Sequence, residues 1–127
     1  MPKSKLTRAK EISIETKQKV LERQHNKSIT GVYIPNINYG SFHHVITRGQ
    51  NGIGFEWNIV CLTPEEHRWY HDHQNILVNG AKRYTYLELE ILMKNHLKLH
   101  YSGWTEEKCK FHKYWEEEDY GITRMEL

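Results

Sequence analysis

The chain has almost no cysteine chemistry to offer. Only Cys61 and Cys109 occur in 127 residues, and they form no CxxC pair. A disulfide scaffold and a zinc knuckle built on cysteine pairs are therefore both excluded. Long apolar runs are also missing. Mean hydropathy is −0.80, and no stretch approaches the roughly 20 apolar residues that a membrane span requires. The first ten residues carry charge without an apolar run behind them, so no signal peptide is expected. Net charge is small, at +2. The expectation is a reduced, cytoplasmic protein with no membrane partner.

What is present is aromatic, asymmetric in charge and rich in histidine. Four Trp and eight Tyr supply a core large enough to argue against wholesale disorder. Residues 1–27 hold eight Lys/Arg against three Glu, and residues 101–127 hold four against seven acidic groups. A basic amino end suits a polyanion or an ordinary solvated helix. Nine His occur, five of them between His43 and His73. That density raises metal binding or proton transfer as the first questions.

Residues 1–12 read as a basic flexible arm and residues 13–127 as one α+β domain. Ser13 can cap a helix through Glu15–Gln24. Residues 29–39 alternate β-formers with Gly, Pro and Asn, which predicts short extended pieces and turns. Residues 42–47 predict a strand, residues 48–56 a Gly-rich loop, and residues 57–62 a second strand. Thr63-Pro64-Glu65-Glu66 is a capping box with Pro at the first helical position, predicting a helix from Pro64 to about His73. Asn79-Gly80 predicts a turn. Leu89, Leu92, Met93 and His96 share one face of a helix over about 85–99. A last helix is predicted from Glu106 to about Glu118, capped by Thr105.

The histidines fall on informative positions of this map. His43 and His44 are neighbours on a strand, where consecutive side chains take opposite faces. That suits a divided task, one ring binding a metal and the other acting beside it. His67 and His71 lie four apart on the helix that starts at Pro64, the spacing of a two-His grip on one face. The order is strand with His43-His44, Gly-rich loop, strand with Asn58, then helix with His67 and His71.

That order, with Phe42-His43-His44-Val45-Ile46, Arg48, the block from Gly52 to Leu62, and the His67/His71 pair, resembles the HNH endonuclease family. The spacings of fourteen, nine and four residues from His44 through Asn58 and His67 to His71 fit it. Residues 13–23 and 96–108 are similar to flanks of small phage and prophage HNH proteins. The resemblance implies a ββα-metal core over about 41–73 with carboxy-terminal helices over about 85–118. It implies a metal-dependent DNA endonuclease, nicking duplex DNA to leave 5′-phosphate and 3′-hydroxyl ends. His43, His67 and His71 would hold the metal, His44 would be the general base, and Asn58 would tie the loop that orients it. Arg48 could clamp a substrate phosphate. Three imidazoles favour Zn²⁺, Ni²⁺, Co²⁺ or Mn²⁺, while Mg²⁺ stays open because the phosphate adds hard oxygens.

Further implications are a bacterial cytoplasm, a phage or prophage origin, and terminase or portal proteins as partners. A double-strand break would need a homodimer or a partner protein. Many relatives add a structural zinc on two CxxC pairs. Ser28 and Gly31 stand near the first pair and Thr63 and Glu66 at the second, so no structural zinc is expected. Two rival readings are a catalytically silent module that binds nucleic acid or protein, and an inhibitor of another nuclease. The remaining polar and aromatic candidates read as ordinary structure: His96 as a satisfied core residue, His73 as a surface residue, both cysteines as small buried side chains, and the four Trp as packing residues.

Overall fold

The structure is a computed structural model that describes residues 3–72, 77–79 and 82–127. It is a mixed α+β arrangement of helices and small antiparallel sheets. No helix among the described residues is long and apolar enough to cross a membrane.

Helix α1 spans Lys5–Lys10 and α2 spans Ile14–Arg23. Ser13 caps α2 as its sequence predicts, its hydroxyl accepting from the Thr16 N–H at 3.0 Å. Strands β1 (Ser41–His44) and β2 (Ile59–Leu62) pair antiparallel, with His43 opposite Val60 and His44 opposite Ile59. Helix α3 (Pro64–His71) follows directly and makes both halves of the expected capping box. Strands β3 (Leu77–Asn79) and β4 (Lys82–Tyr84) form a second antiparallel pair, α4 runs over Tyr86–His100, and β5 (Tyr101–Ser102) pairs with β6 (Thr123–Arg124).

β2 is the centre of the packing, and its alternation decides where each side chain goes. Ile59 and Cys61 join a small cluster with Val20, Leu21 and Ile34, on the side of α2. Val60 and Leu62 face the larger cluster built by Trp69, Leu89, Met93, Leu97 and Trp104. Both faces are covered, so every residue of β2 is buried. Both cysteines are free and buried, in keeping with their reading as small core side chains.

A polar node crosses the apolar contacts. Arg23 is 3% exposed. Its guanidinium donates to the carbonyls of Glu56 (2.9 Å) and Ile59 (2.7 Å), to the Tyr101 hydroxyl (3.0 Å) and to the Gln24 side-chain oxygen (3.2 Å). Arg23 Nε also donates to His96 Nε2 at 2.8 Å. An arginine only donates, so His96 must accept and must be neutral. Burial, then Arg23, pushes its pKa from 6.5 to about 3. The folded value lies below the unfolded one, so the stabilisation is complete above pH ~6.5 and is lost as pH falls from there toward about 3. The expected result is a Tm that is level from pH 8 to 7 and drops progressively from pH 6 to 4. A Tm unchanged down to pH 4 would contradict it.

A second polar node ties residues 28–30 to the start of α3. Glu66, 3% exposed, accepts from the Thr63 N–H at 2.8 Å, from the Ser28 hydroxyl at 3.3 Å and from the Thr30 hydroxyl.

Two terminal segments differ from the sequence-based expectation. No helix runs from Glu106 to Glu118; that stretch holds short 3₁₀ turns at Glu107–Cys109 and Glu117–Tyr120. Its backbone pairs with the Gly-rich loop instead, Ile53 N–H donating to the Cys109 carbonyl (2.9 Å) and Phe111 N–H to the Asn51 carbonyl (2.8 Å). Phe55, Trp57, Trp115 and Tyr120 pack around this contact. These tertiary bonds satisfy groups that a helix would use internally. The amino end is not a loose arm either: it forms α1, and Ala9 packs on the main core.

Candidate metal centre

The site is built by β1, α3 and the loop between β1 and β2. His43, central in β1, is 3% exposed. α3 presents His67 and His71 one turn apart. Their imidazoles converge: His43 Nδ1 lies 3.2 Å from His67 Nε2, and His71 Nε2 lies 2.9 Å from the same nitrogen. One nitrogen from each of the three rings fits within 4.8 Å of the others, and this is the grouping among the described residues that can hold a metal ion.

The donor set fits a divalent cation on two counts. Metal ligation needs unprotonated imidazole. Burial, followed by repulsion from the neighbouring rings, lowers His43 to about 3 and His67 to about 4. Both rings are therefore neutral at pH 7 and keep a lone pair to give. Second, the Ser41 hydroxyl lies 2.5 Å from His67 Nδ1. With Nδ1–H donated to that oxygen, the Nε2 lone pair faces the other two rings, the outer-shell support that ligand histidines need. His43 Nε2 is buried with no hydrogen-bond partner among the described residues; Tyr70 packs edge-on against the ring at 4.9 Å.

His44 takes a different environment from His43, as adjacent strand positions require. Its Nε2 lies 2.7 Å from the Lys10 carbonyl oxygen. A carbonyl can only accept, so Nε2 carries the proton and the neutral ring has its lone pair on Nδ1. Burial lowers its pKa, against the raising effect of the Lys10 carbonyl.

Asn58 is completely buried. Its side-chain oxygen accepts from the Ile46 N–H (2.8 Å), and its amide donates to the carbonyls of Ile46 (3.0 Å) and Ile53 (2.9 Å). It thereby closes the loop between β1 and β2 from inside. Asn58→Ala would strand one buried N–H and two carbonyls. At about 1–3 kcal/mol for an unsatisfied buried group, the expected loss is about 3 kcal/mol by urea denaturation. A loss under about 1 kcal/mol would mean that water or a backbone shift replaces the side chain.

A cleft of about 850 Å³ is lined by His43, His44, His67 and His71 together with Arg48 and Lys17. Of the residues singled out in the sequence, five therefore meet in one depression, and Asn58 supports it from below. His73 lies outside the described residues. Sequence reasoning missed Ser41, Lys17 and the Lys10 carbonyl. Ser41 lies two residues before His43 on the same strand, a signal that alternation could have supplied. A backbone carbonyl has no residue signature at all.

No protein family, curated protein or solved structure matches the chain.

Proposed function

We propose that the chain is a metal-dependent DNA endonuclease of the HNH type, with β1, β2 and α3 as its ββα-metal core. The observation that carries the reading is one cleft containing three converging imidazoles and, on the next strand position, a fourth with its own tautomer-fixing partner. His43, His67 and His71 would hold the ion. Bound there, a divalent cation supplies Lewis-acid stabilisation of the scissile phosphate and the departing 3′ oxygen. His44 Nδ1 takes a proton from the attacking water, and the carbonyl at Nε2 keeps that nitrogen free to do so. Asn58 holds the loop rigid between His44 and β2. Arg48 and Lys17 line the cleft and favour a polyanion. One such centre cuts one strand, so the expected product on duplex DNA is a nick.

The test is incubation of supercoiled plasmid with the protein and Mn²⁺, Ni²⁺, Co²⁺, Zn²⁺ or Mg²⁺, each against a chelator control. The expected product is open circular DNA that ligase reseals, since 5′-phosphate and 3′-hydroxyl ends are what a ligase needs. Binding of DNA with no nicking in any metal would instead favour a catalytically silent module.

A further inference from the structure

The segment before α2 reaches across the molecule to the cleft. Ser4 caps α1 by accepting from the Thr7 N–H at 3.1 Å. Lys3 pairs with Glu11, and Lys5 Nζ donates to the Lys113 carbonyl at 2.9 Å. The last carbonyls of any helix lack partners inside it. In α1 the two final ones find partners in two different places. The Ala9 carbonyl accepts from the Gly54 N–H at 2.8 Å. The Lys10 carbonyl lies 2.7 Å from His44 Nε2. Consecutive peptide groups thus join the Gly-rich loop to the ring beside the metal cluster.

Gly54 is what lets the segment come so close. A Cβ at this position would fall inside contact distance of the Glu11 carbonyl carbon and oxygen. Any side chain there must push residues 9–11 away, and the bond to His44 goes with them.

We propose that residues 4–11 are a strap that positions His44, with Gly54 as its seat and the Lys10 carbonyl as the group that keeps the His44 proton on Nε2. Lys10 acts here through its backbone and is a positioning residue. The catalytic consequence rests on His44 being the base; the tautomer does not. The hydrogen bond between the strap and the cleft's histidines runs from His44 to the Lys10 carbonyl.

The test uses the full 127-residue chain labelled with ¹⁵N-histidine, free of metal. Long-range ¹H–¹⁵N spectra report which nitrogen of each ring carries the proton. Two variants displace the strap from opposite sides. Gly54→Ala fills the seat. Arg8→Pro replaces an exposed residue whose N–H bonds to the Ser4 carbonyl in α1, and a proline there removes that bond and unwinds the helix. The expected result is His44 protonated at Nε2 in the wild type and a mixture of tautomers in both variants. Protonation at Nδ1 in the wild type, or a wild-type tautomer retained in both variants, would overturn the proposal. Should Gly54→Ala fail to fold, Arg8→Pro carries the test, because it substitutes an exposed residue and alters no buried side chain.

Plasmid nicking then separates the strap from the reading it rests on. With the tautomer mixed, kcat should fall by roughly 10- to 100-fold from misplacement of the base, while KM and the metal-induced rise in Tm stay as in the wild type. A mixed tautomer with unchanged kcat would leave the strap standing and remove His44 as the base. A fall in metal affinity parallel to the fall in kcat would make the segment a structural brace and overturn the positioning role.

Discussion

Metal-free protein titrated with Zn²⁺ or Ni²⁺ is expected to gain stability by mass action, and His67→Ala is expected to lose that gain. An ion held by the folded state alone contributes about 2.7 kcal/mol at a free concentration 100 times its Kd. For a chain of this size that is a rise in Tm of roughly 10 °C. His67 is the ring to remove because its Nε2 is the nitrogen nearest both others, 3.2 Å from His43 and 2.9 Å from His71. With affinity cut by about 100-fold, the same ion concentration contributes under about 0.5 kcal/mol. The substitution itself costs little packing, since His67 is only partly buried and its partner Ser41 lies at the cleft. Thermal melts of both proteins with and without ion give the comparison. A shift of equal size in His67→Ala would place the ion elsewhere.

His44→Ala is expected to separate chemistry from metal binding. General-base catalysis is worth about 10²–10⁴-fold, so nicking should fall by that factor at saturating metal. The metal-induced rise in Tm should remain, because His44 donates no nitrogen to the three-ring cluster. The ring is half-buried and its bonded partner is a backbone carbonyl, which water can satisfy once the imidazole is gone. Loss of both nicking and the Tm shift would make His44 a ligand or a structural residue. Undiminished nicking would mean that another group takes the proton.

The centre of the fold was legible because its signals are local. The β-formers along 59–62, the Pro64 capping box and the four-residue spacing of His67 and His71 each act within one element. They place a strand and a helix whose relative position then follows from a one-residue connection at Thr63. His67 and His71 could be paired for the same reason, whereas adding His43 to them rested on the resemblance to the HNH family. His96, read as a satisfied core residue, is partly buried and satisfied, although its partner Arg23 lies 73 residues away and was not foreseen.

The parts that were not legible are those decided by distant backbone. Glu106 to Glu118 has a capping threonine and first-turn acids, and Thr105 does accept from the Lys108 N–H at 3.2 Å. The helix stops there because Cys109 and Phe111 bond to residues 51 and 53, a choice made by tertiary contact. α1 has the same origin: its residues carry no strong apolar period, and its last carbonyls are fixed by Gly54 and His44. The Asn79-Gly80 turn was read without the strands around it. Asn79 ends β3 and pairs with Lys82, while Gly80 lies outside the described residues. Three-residue strands are too short for alternation to stand out in a sequence.

The most direct test of the account is a crystal of the protein grown with Ni²⁺ or Zn²⁺ and measured at the metal's absorption edge. The account predicts one strong anomalous peak bonded to His43 Nδ1, His67 Nε2 and His71 Nε2 at about 2.0–2.1 Å, with His44 beside it and not bound. A peak held by other residues, such as His96 and His100, or three imidazoles still bonded only to one another at saturating metal, would contradict it.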